Sequence, residues 1–134
     1  MGQSLVQELE PLFNPRSVAV IGASNNWNKW GFSTLSSVLN GFTGDIYPVN
    51  NRESEIFGRR AYKRVTDIPG PVDLAVFVIP APTVPSAMED CVAKGVKAGV
   101  IITAGFMETG AEGKRLQDEV VRIARKGGLR FVGP

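Results

Sequence analysis

Ser17-Val18-Ala19-Val20-Ile21-Gly22-Ala23-Ser24 decides how the rest of the chain is read. An apolar, β-branched run stops abruptly at Gly-Ala-Ser, and a helical pattern resumes only at Gly31. The pattern predicts a strand feeding a phosphate-binding loop. At the carboxyl end of a central strand in an open parallel sheet, backbone N–H groups and a helix N-terminus face an anion. The loop departs from the Gly-x-Gly-x-x-Gly dinucleotide fingerprint, because Ser24 and Trp27 stand where the second and third glycines would be. This counts against ordinary NAD binding. A Ser24 hydroxyl can donate to a phosphate oxygen, while its Cβ holds a pyrophosphate farther off than glycine would.

Upstream, Leu5, Leu9 and Leu12 recur at helical spacing until Asn14-Pro15 ends a short leading helix. Downstream, Phe32, Leu35, Val38 and Leu39 form one apolar helical face that stops at Asn40-Gly41. Asp45-Ile46-Tyr47-Pro48-Val49 reads as a second strand, and Pro48, which has no N–H to donate, assigns it to an edge or a strand end. The nearly continuous apolar run from Asp73 to Ile79 is the signature of a strand covered on both faces by helices, and it closes at Pro80-Ala81-Pro82. Thr83 is placed to cap a helix running to about Lys94, with Gly95 as its stop, and Ala98 to Thr103 is the next buried strand. A last helix carries Leu116, Val120, Ile123 and Ala124 on one face and stops at Gly127-Gly128, ahead of a terminal strand from Leu129 to Val132. Alternation of this kind implies right-handed crossovers and an α/β, Rossmann-like, doubly wound and mainly parallel sheet with helices on both faces.

The chain has 134 residues, of which 43% are hydrophobic, enough for one domain to bury a core without disulfides or metal. Its single cysteine, Cys91, has no partner for an internal bridge and reads as a packed thiol on a helix. No apolar run has the length of a membrane span or the layout of a signal peptide, so the expected compartment is the cytoplasm. Fifteen basic and 13 acidic residues leave a formal charge of +2, without the clustered Lys/Arg and interleaved aromatics of a nucleic-acid surface. A small anion is the expected partner. The sequence contains no histidine, which removes a Ser-His-Asp triad, a Cys-His pair, a phosphohistidine and most zinc sites, so the segment is expected to bind rather than to catalyse.

Three strand ends converge on one crevice in such a sheet, and each supplies a different group. The first supplies Gly22, Ala23 and Ser24, with Lys29 behind them. The second supplies Asn50 and Arg52, where an NAD enzyme would place an acidic residue for the ribose hydroxyls; a cation there suits a phosphate on the ribose, as in NADP or coenzyme A. The third supplies Val78, Ile79, Pro80 and Pro82, a rigid apolar wall suited to an adenine face. Plainer readings remain open: Ser24 caps a turn, and Arg52 pairs with Glu53 or Glu55 on a solvated loop. Glu108, in the glycine-bearing loop after Ile102, reads as a solvated carboxylate rather than a general base. Trp27 and Trp30 flank Lys29 in a polar loop, suited to packing on a ligand or on a neighbouring domain.

Five segments occur in order at related spacing: Leu12 to Ser24, Ile46 to Asn50, Val72 to Val76, Lys94 to Lys97, and Ile101 to Phe106. Together they resemble the CoA-binding domain of the ADP-forming (NDP-forming) acyl-CoA synthetases, related to the N-terminal domain of the succinyl-CoA synthetase alpha subunit. The resemblance runs from about residue 9 to the end. It implies coenzyme A, or an acyl-CoA, as cofactor. Gly22, Ala23, Ser24 and Lys29 would lie near its phosphates, and Asn50 and Arg52 near the pyrophosphate or 3′-phosphate. Arg52 stands where the family usually has lysine. Val78, Ile79, Pro80, Pro82 and Val84 would border the adenine, and Ile102, Thr103 and Ala104 the pantetheine arm. The resemblance further implies that residues 1–134 are one CoA-binding domain, an N-terminal part of a longer chain whose phosphohistidine and ATP-grasp parts lie elsewhere, in following domains or another subunit. Rival readings are a stand-alone CoA-binding regulatory or scaffold module, the same domain fused to a protein lysine acetyltransferase, and an NADP-dependent oxidoreductase domain.

Overall fold

The computed structural model describes residues 4–102 and 110–133. A leading helix, α1 (Leu5–Phe13), enters β1 (Ser17–Ile21), and every residue of β1 is buried. Then follow α2 (Trp30–Gly41), β2 (Asp45–Val49), a small hairpin of β3 (Glu55–Ile56) and β4 (Arg59–Arg60), and a 3-10 turn at Val65–Asp67. The second half runs β5 (Leu74–Phe77), a 3-10 turn at Ala81–Thr83, α3 (Val84–Lys94), β6 (Ala98–Ile101), α4 (Ala111–Lys126) and β7 (Arg130–Val132).

The main sheet has five strands in the order β2-β1-β5-β6-β7, and every pairing in it is parallel. Strand side chains alternate between faces, so β1 and β5 are apolar on both. Ala19, Ile21, Ala75 and Phe77 point to the layer formed by α3 and α4, where they meet Val84, Met88, Cys91, Leu116 and Val120. Val18, Val20, Leu74 and Val76 point the other way, toward Leu35, Val38 and Leu39 of α2 and Leu12 of α1. Helices therefore cover both faces, as the doubly wound reading expects. The chain leaves β1 toward β2 on one side, while β5 pairs on the other, which makes the end of β1 the topological switch point.

Pro48 sits in edge strand β2, as its missing donor requires. Its carbonyl accepts from Tyr62 N–H (3.0 Å), and Asn50 N–H donates to the Tyr62 carbonyl (2.9 Å), so the donor-less nitrogen is on the outward side of the sheet. Gly95 ends α3 in the left-handed region (φ 91°) with its N–H on the Cys91 and Val92 carbonyls. Cys91 is fully buried, and burial pushes its thiol pKa up, consistent with a packing role. Thr83 departs from its expected role. It lies in a 3-10 turn and its hydroxyl donates backward to the Pro80 carbonyl (2.6 Å) instead of capping α3. The strands are also shorter than the apolar runs that announce them: β5 ends at Phe77 and β6 at Ile101, where the chain turns out of the sheet toward the crevice. No helix among the described residues is long and apolar enough to cross a membrane.

Candidate functional site

Backbone contact comes first at the switch point. Gly22 N–H donates to the Val49 carbonyl (2.9 Å) and Val78 N–H to the Ile21 carbonyl (2.8 Å), so the three strand ends are laced together where the loops begin. Gly22 takes φ 96°, and a Cβ there would collide with the Val78 carbonyl and with the Ile79 side chain that lies over it. Gly31, in the first turn of α2, is pressed against the Gly22 carbonyl so closely that a Cβ would overlap it. This contact brings the amino end of α2 onto the end of β1. It is the close helix-to-strand packing that the third glycine of a dinucleotide motif provides, supplied here by Gly31 instead of position 27. Lys29 occupies the N-cap of α2 and makes no side-chain capping bond, and no acidic residue stands in the first turn. Lys29 N–H donates to the Asn26 carbonyl (2.9 Å) and Phe32 N–H to the Lys29 carbonyl (3.1 Å), so the N–H groups of Trp30 and Gly31, with the positive dipole end and the exposed lysine beside them, are what the helix start offers at the crevice.

Polar side chains then fix the loops to one another. Ser24 is buried and its hydroxyl oxygen accepts from Asn26 N–H (3.0 Å), so it does close a local turn. Asn50 donates from Nδ2 to the Ala23 carbonyl (2.9 Å) and accepts at Oδ1 from the backbone N–H groups of Arg52 (2.7 Å) and Glu53 (3.0 Å). Its amide thus ties the β2 loop to the β1 loop. Asn25, which the sequence reading passed over, performs the same office for the hairpin. It donates to Glu53 Oε2 (3.2 Å) and to the Glu55 carbonyl (2.9 Å) and accepts from Phe57 N–H (3.0 Å). Phe57 holds φ 54°, uncommon for an aromatic residue, in the two-residue Phe57-Gly58 turn; the Asn25 bond and an edge-on contact with the Phe32 ring at 4.8 Å hold it there.

Arg52 is exposed, and among the described residues it forms no ion pair with Glu53, Glu55 or any other carboxylate. Glu53 is engaged by Asn25 instead. The hairpin brings Arg60 and Lys63 to the same cavity as Arg52, a space of about 420 Å³. The sequence reading missed both cations; the signal available was the basic run Arg59-Arg60 and Lys63-Arg64 just after the Gly58 turn. On the β5 side, Val78 and Ile79 are half-buried and Pro80 and Pro82 exposed, which leaves an apolar wall over Gly22. Val84 does not belong to that wall. It is 0% exposed and packs in the core below, because the 3-10 turn rotates the start of α3 inward. Ile102 is half-buried beside the β5 end, its N–H on the Phe77 carbonyl (3.0 Å); Thr103, Ala104 and Glu108 lie outside the described residues. Trp27 and Trp30 stand 73% and 72% exposed on the loop beside Lys29.

A larger cavity, about 760 Å³, is at the other end of the sheet, lined by Gln7 and Pro11 of α1, Lys97 before β6, and Gly128 to Arg130 entering β7. Size does not select it. Ligands of open parallel sheets sit beyond the carboxyl ends of the strands, and the donors described above all face that end.

Residues 16–134 match the model of a family described as a CoA binding domain. The chain belongs to that family. Coenzyme A is accordingly the ligand of this domain, and the resemblance read from its motifs holds. It is 52% identical over 126 residues to the alpha subunit of acetate–CoA ligase [ADP-forming] II of Pyrococcus furiosus, covering 94% of this chain and 28% of that protein. It is 41% identical to the 4-hydroxybutyrate–CoA ligase [ADP-forming] of Nitrosopumilus maritimus, covering 92% of this chain and 18% of that one. Among solved structures, the dinucleotide-forming acetyl-coenzyme A synthetase 1 of Ca. Korarchaeum cryptofilum, in complex with phosphate and ADP, superposes with a TM-score of 0.88 at 42% identity. That match covers 94% of this chain and 27% of that one. The chain thus spans less than a third of the length of each of these three proteins.

Proposed function

We propose that this chain is the CoA-holding part of an ADP-forming acyl-CoA ligase and supplies no reacting group of its own. The observation that carries the reading is the amino end of α2, without a side-chain cap, packed through Gly31 onto the Gly22 carbonyl and flanked by Lys29. That arrangement offers backbone N–H groups and charge to a pyrophosphate without the glycine-only approach of a dinucleotide loop. Gly22, Ala23 and Ser24 shape the cradle, Lys29 and Arg52 supply cations, and Asn50 holds the two loops in register. Val78, Ile79, Pro80 and Pro82 offer the adenine a flat apolar surface, and the pantetheine arm leaves past Ile102, Thr103 and Ala104.

Relatives whose names specify acetate and 4-hydroxybutyrate match the same part of the chain, which supports assigning choice of acid to other parts of the whole protein. In this reading residues 1–134 are one domain working with phosphate-transferring and nucleotide-binding parts of its parent, in the cytoplasm. Without them, incubation with ATP, CoA and acetate should yield no acetyl-CoA above a protein-free control. Calorimetric titration tests the ligand: CoA should bind in preference to NAD and NADP, and equal or tighter binding of NADP would overturn the proposal. Protein-dependent turnover would overturn the assignment of the chemistry to other domains.

A further inference from the structure

The cavity beside β2 holds more charge than a pyrophosphate site at β1 needs. Its lining includes Arg52 from the β2 loop, Arg60 from β4 and Lys63 from the segment that follows, together with Glu53, Asp67 and Tyr62. Both carboxylates already have partners: Glu53 accepts from Asn25 and Asp67 from the backbone N–H of Arg64 (3.2 Å). Among the described residues, none of the three cations forms an ion pair. Arg60 is held on the face of Tyr62, 5.2 Å from its centroid, and Tyr62 is locked to β2 by the Pro48 and Asn50 backbone bonds and by an edge contact with Tyr47 at 6.1 Å. The guanidinium is thus aimed before any ligand arrives, which lowers the ordering cost of binding. Strand alternation sends its neighbour Arg59 to the opposite face of the hairpin, and Arg59 does not line the cavity.

Position matters as much as charge. In a sheet wound this way the pyrophosphate lies over the end of the first strand and the ribose over the end of the second. A cation cluster outboard of β2 meets groups on the ribose, one step away from the α2 amino end. We propose that Arg60 and Lys63 join Arg52 as the specificity determinants for the ribose 3′-phosphate of coenzyme A. A phosphate monoester carries about two negative charges near neutral pH, and the three cations, offset by the carboxylates of Glu53 and Asp67 in the same lining, leave the cavity a net positive charge that favours it over a bare hydroxyl. The proposal rests on the CoA reading above and deepens it.

Titrating the 134-residue chain with CoA and with dephospho-CoA tests it. The wild type should bind CoA on the order of tenfold or more tightly than dephospho-CoA, as expected for losing hydrogen bonds to a charged group at a solvent-facing site, and the ratio should shrink as salt rises. Arg60→Ala, and independently Lys63→Ala, should each weaken CoA by several-fold to about tenfold and leave dephospho-CoA within about twofold. Arg59→Ala removes the same charge from the other face and should leave both ligands unchanged. Equal binding of CoA and dephospho-CoA by the wild type, an equal loss on both ligands in Arg60→Ala and Lys63→Ala, or a loss in Arg59→Ala as large as theirs overturns the inference while the CoA reading stands. Failure of the wild type to bind either ligand overturns that reading and the inference together. The wild-type ratio needs no substitution, so a variant that does not fold leaves the proposal open to disproof.

Discussion

The loops on the two sides of the switch point are built by different forces. On the β1–β2 side, Ser24, Asn25 and Asn50 spend their side chains on neighbouring backbone, so loop positions are set by directional hydrogen bonds. On the β5 side the wall from Val78 to Pro82 is shaped by two prolines and by Ala81 and Val84 buried beneath it. A flat apolar face needs only shape, and packing supplies that. An anion cradle needs donors aimed to within a few tenths of an ångström, and packing alone does not aim them. The difference explains why three small polar residues here carry structural bonds within the loops.

Gly22 is where the two sides touch, so its replacement has the largest expected effect. Gly22→Val would drive a Cβ into the Val78 carbonyl and force a β-branched residue to positive φ; we expect a loss of roughly 3 kcal/mol or more, or no folded protein, by urea unfolding. A variant within about 1 kcal/mol of wild type would mean the two loops are not interlocked. Asn50→Ala comes next. It strands the Arg52 and Glu53 N–H groups and the Ala23 carbonyl, so a cost of about 1–3 kcal/mol is expected, with CoA affinity falling alongside. Unchanged CoA binding in that variant would show that the polar tie does not aim the cradle.

Val84→Ala sharpens the contrast from the other side. A small cavity below the wall should cost about 1–2 kcal/mol in stability and leave CoA affinity within about twofold. A larger loss in affinity than in stability would return Val84 to the ligand surface. The smallest expected effect is none: Cys91, buried and with its thiol pKa raised, should resist alkylation at pH 8 until the protein unfolds. Rapid modification of the native protein would contradict the packing assigned to α3.

Long elements with strong periodicity were legible from residues alone. The apolar runs of β1 and β5, the Asn40-Gly41 and Gly95 helix stops, and the edge position demanded by Pro48 all rest on local chemistry that tertiary contact reinforces. The hairpin was not legible, because its strands are two residues each and carry Glu55, Arg59 and Arg60 in place of apolar alternation. Gly31 was missed for a different reason. Motif spacing pointed to position 27, whereas the longer loop postpones the close contact to the first turn of α2. Val84, which the family resemblance set beside the adenine, is buried because the 3-10 turn sets the phase of α3, and a motif match carries no information on that phase. Within the site, residue types identified the anion cradle, but which asparagine ties and which cation stays unpaired depended on contacts spanning from 2 to more than 25 residues.

Pro48 has a consequence for the margins of the sheet. With its nitrogen facing outward and Tyr62 bonded to the groups on either side, β2 offers an incoming strand no continuous ladder. That margin is sealed against growth, whether by a second molecule in a concentrated solution or by a misregistered segment during folding. At the opposite margin, no strand among the described residues pairs beyond β7, where Val132 is 48% exposed. Growth of the sheet is therefore blocked on the side next to the candidate crevice, by chemistry that Pro48 and Tyr62 supply together.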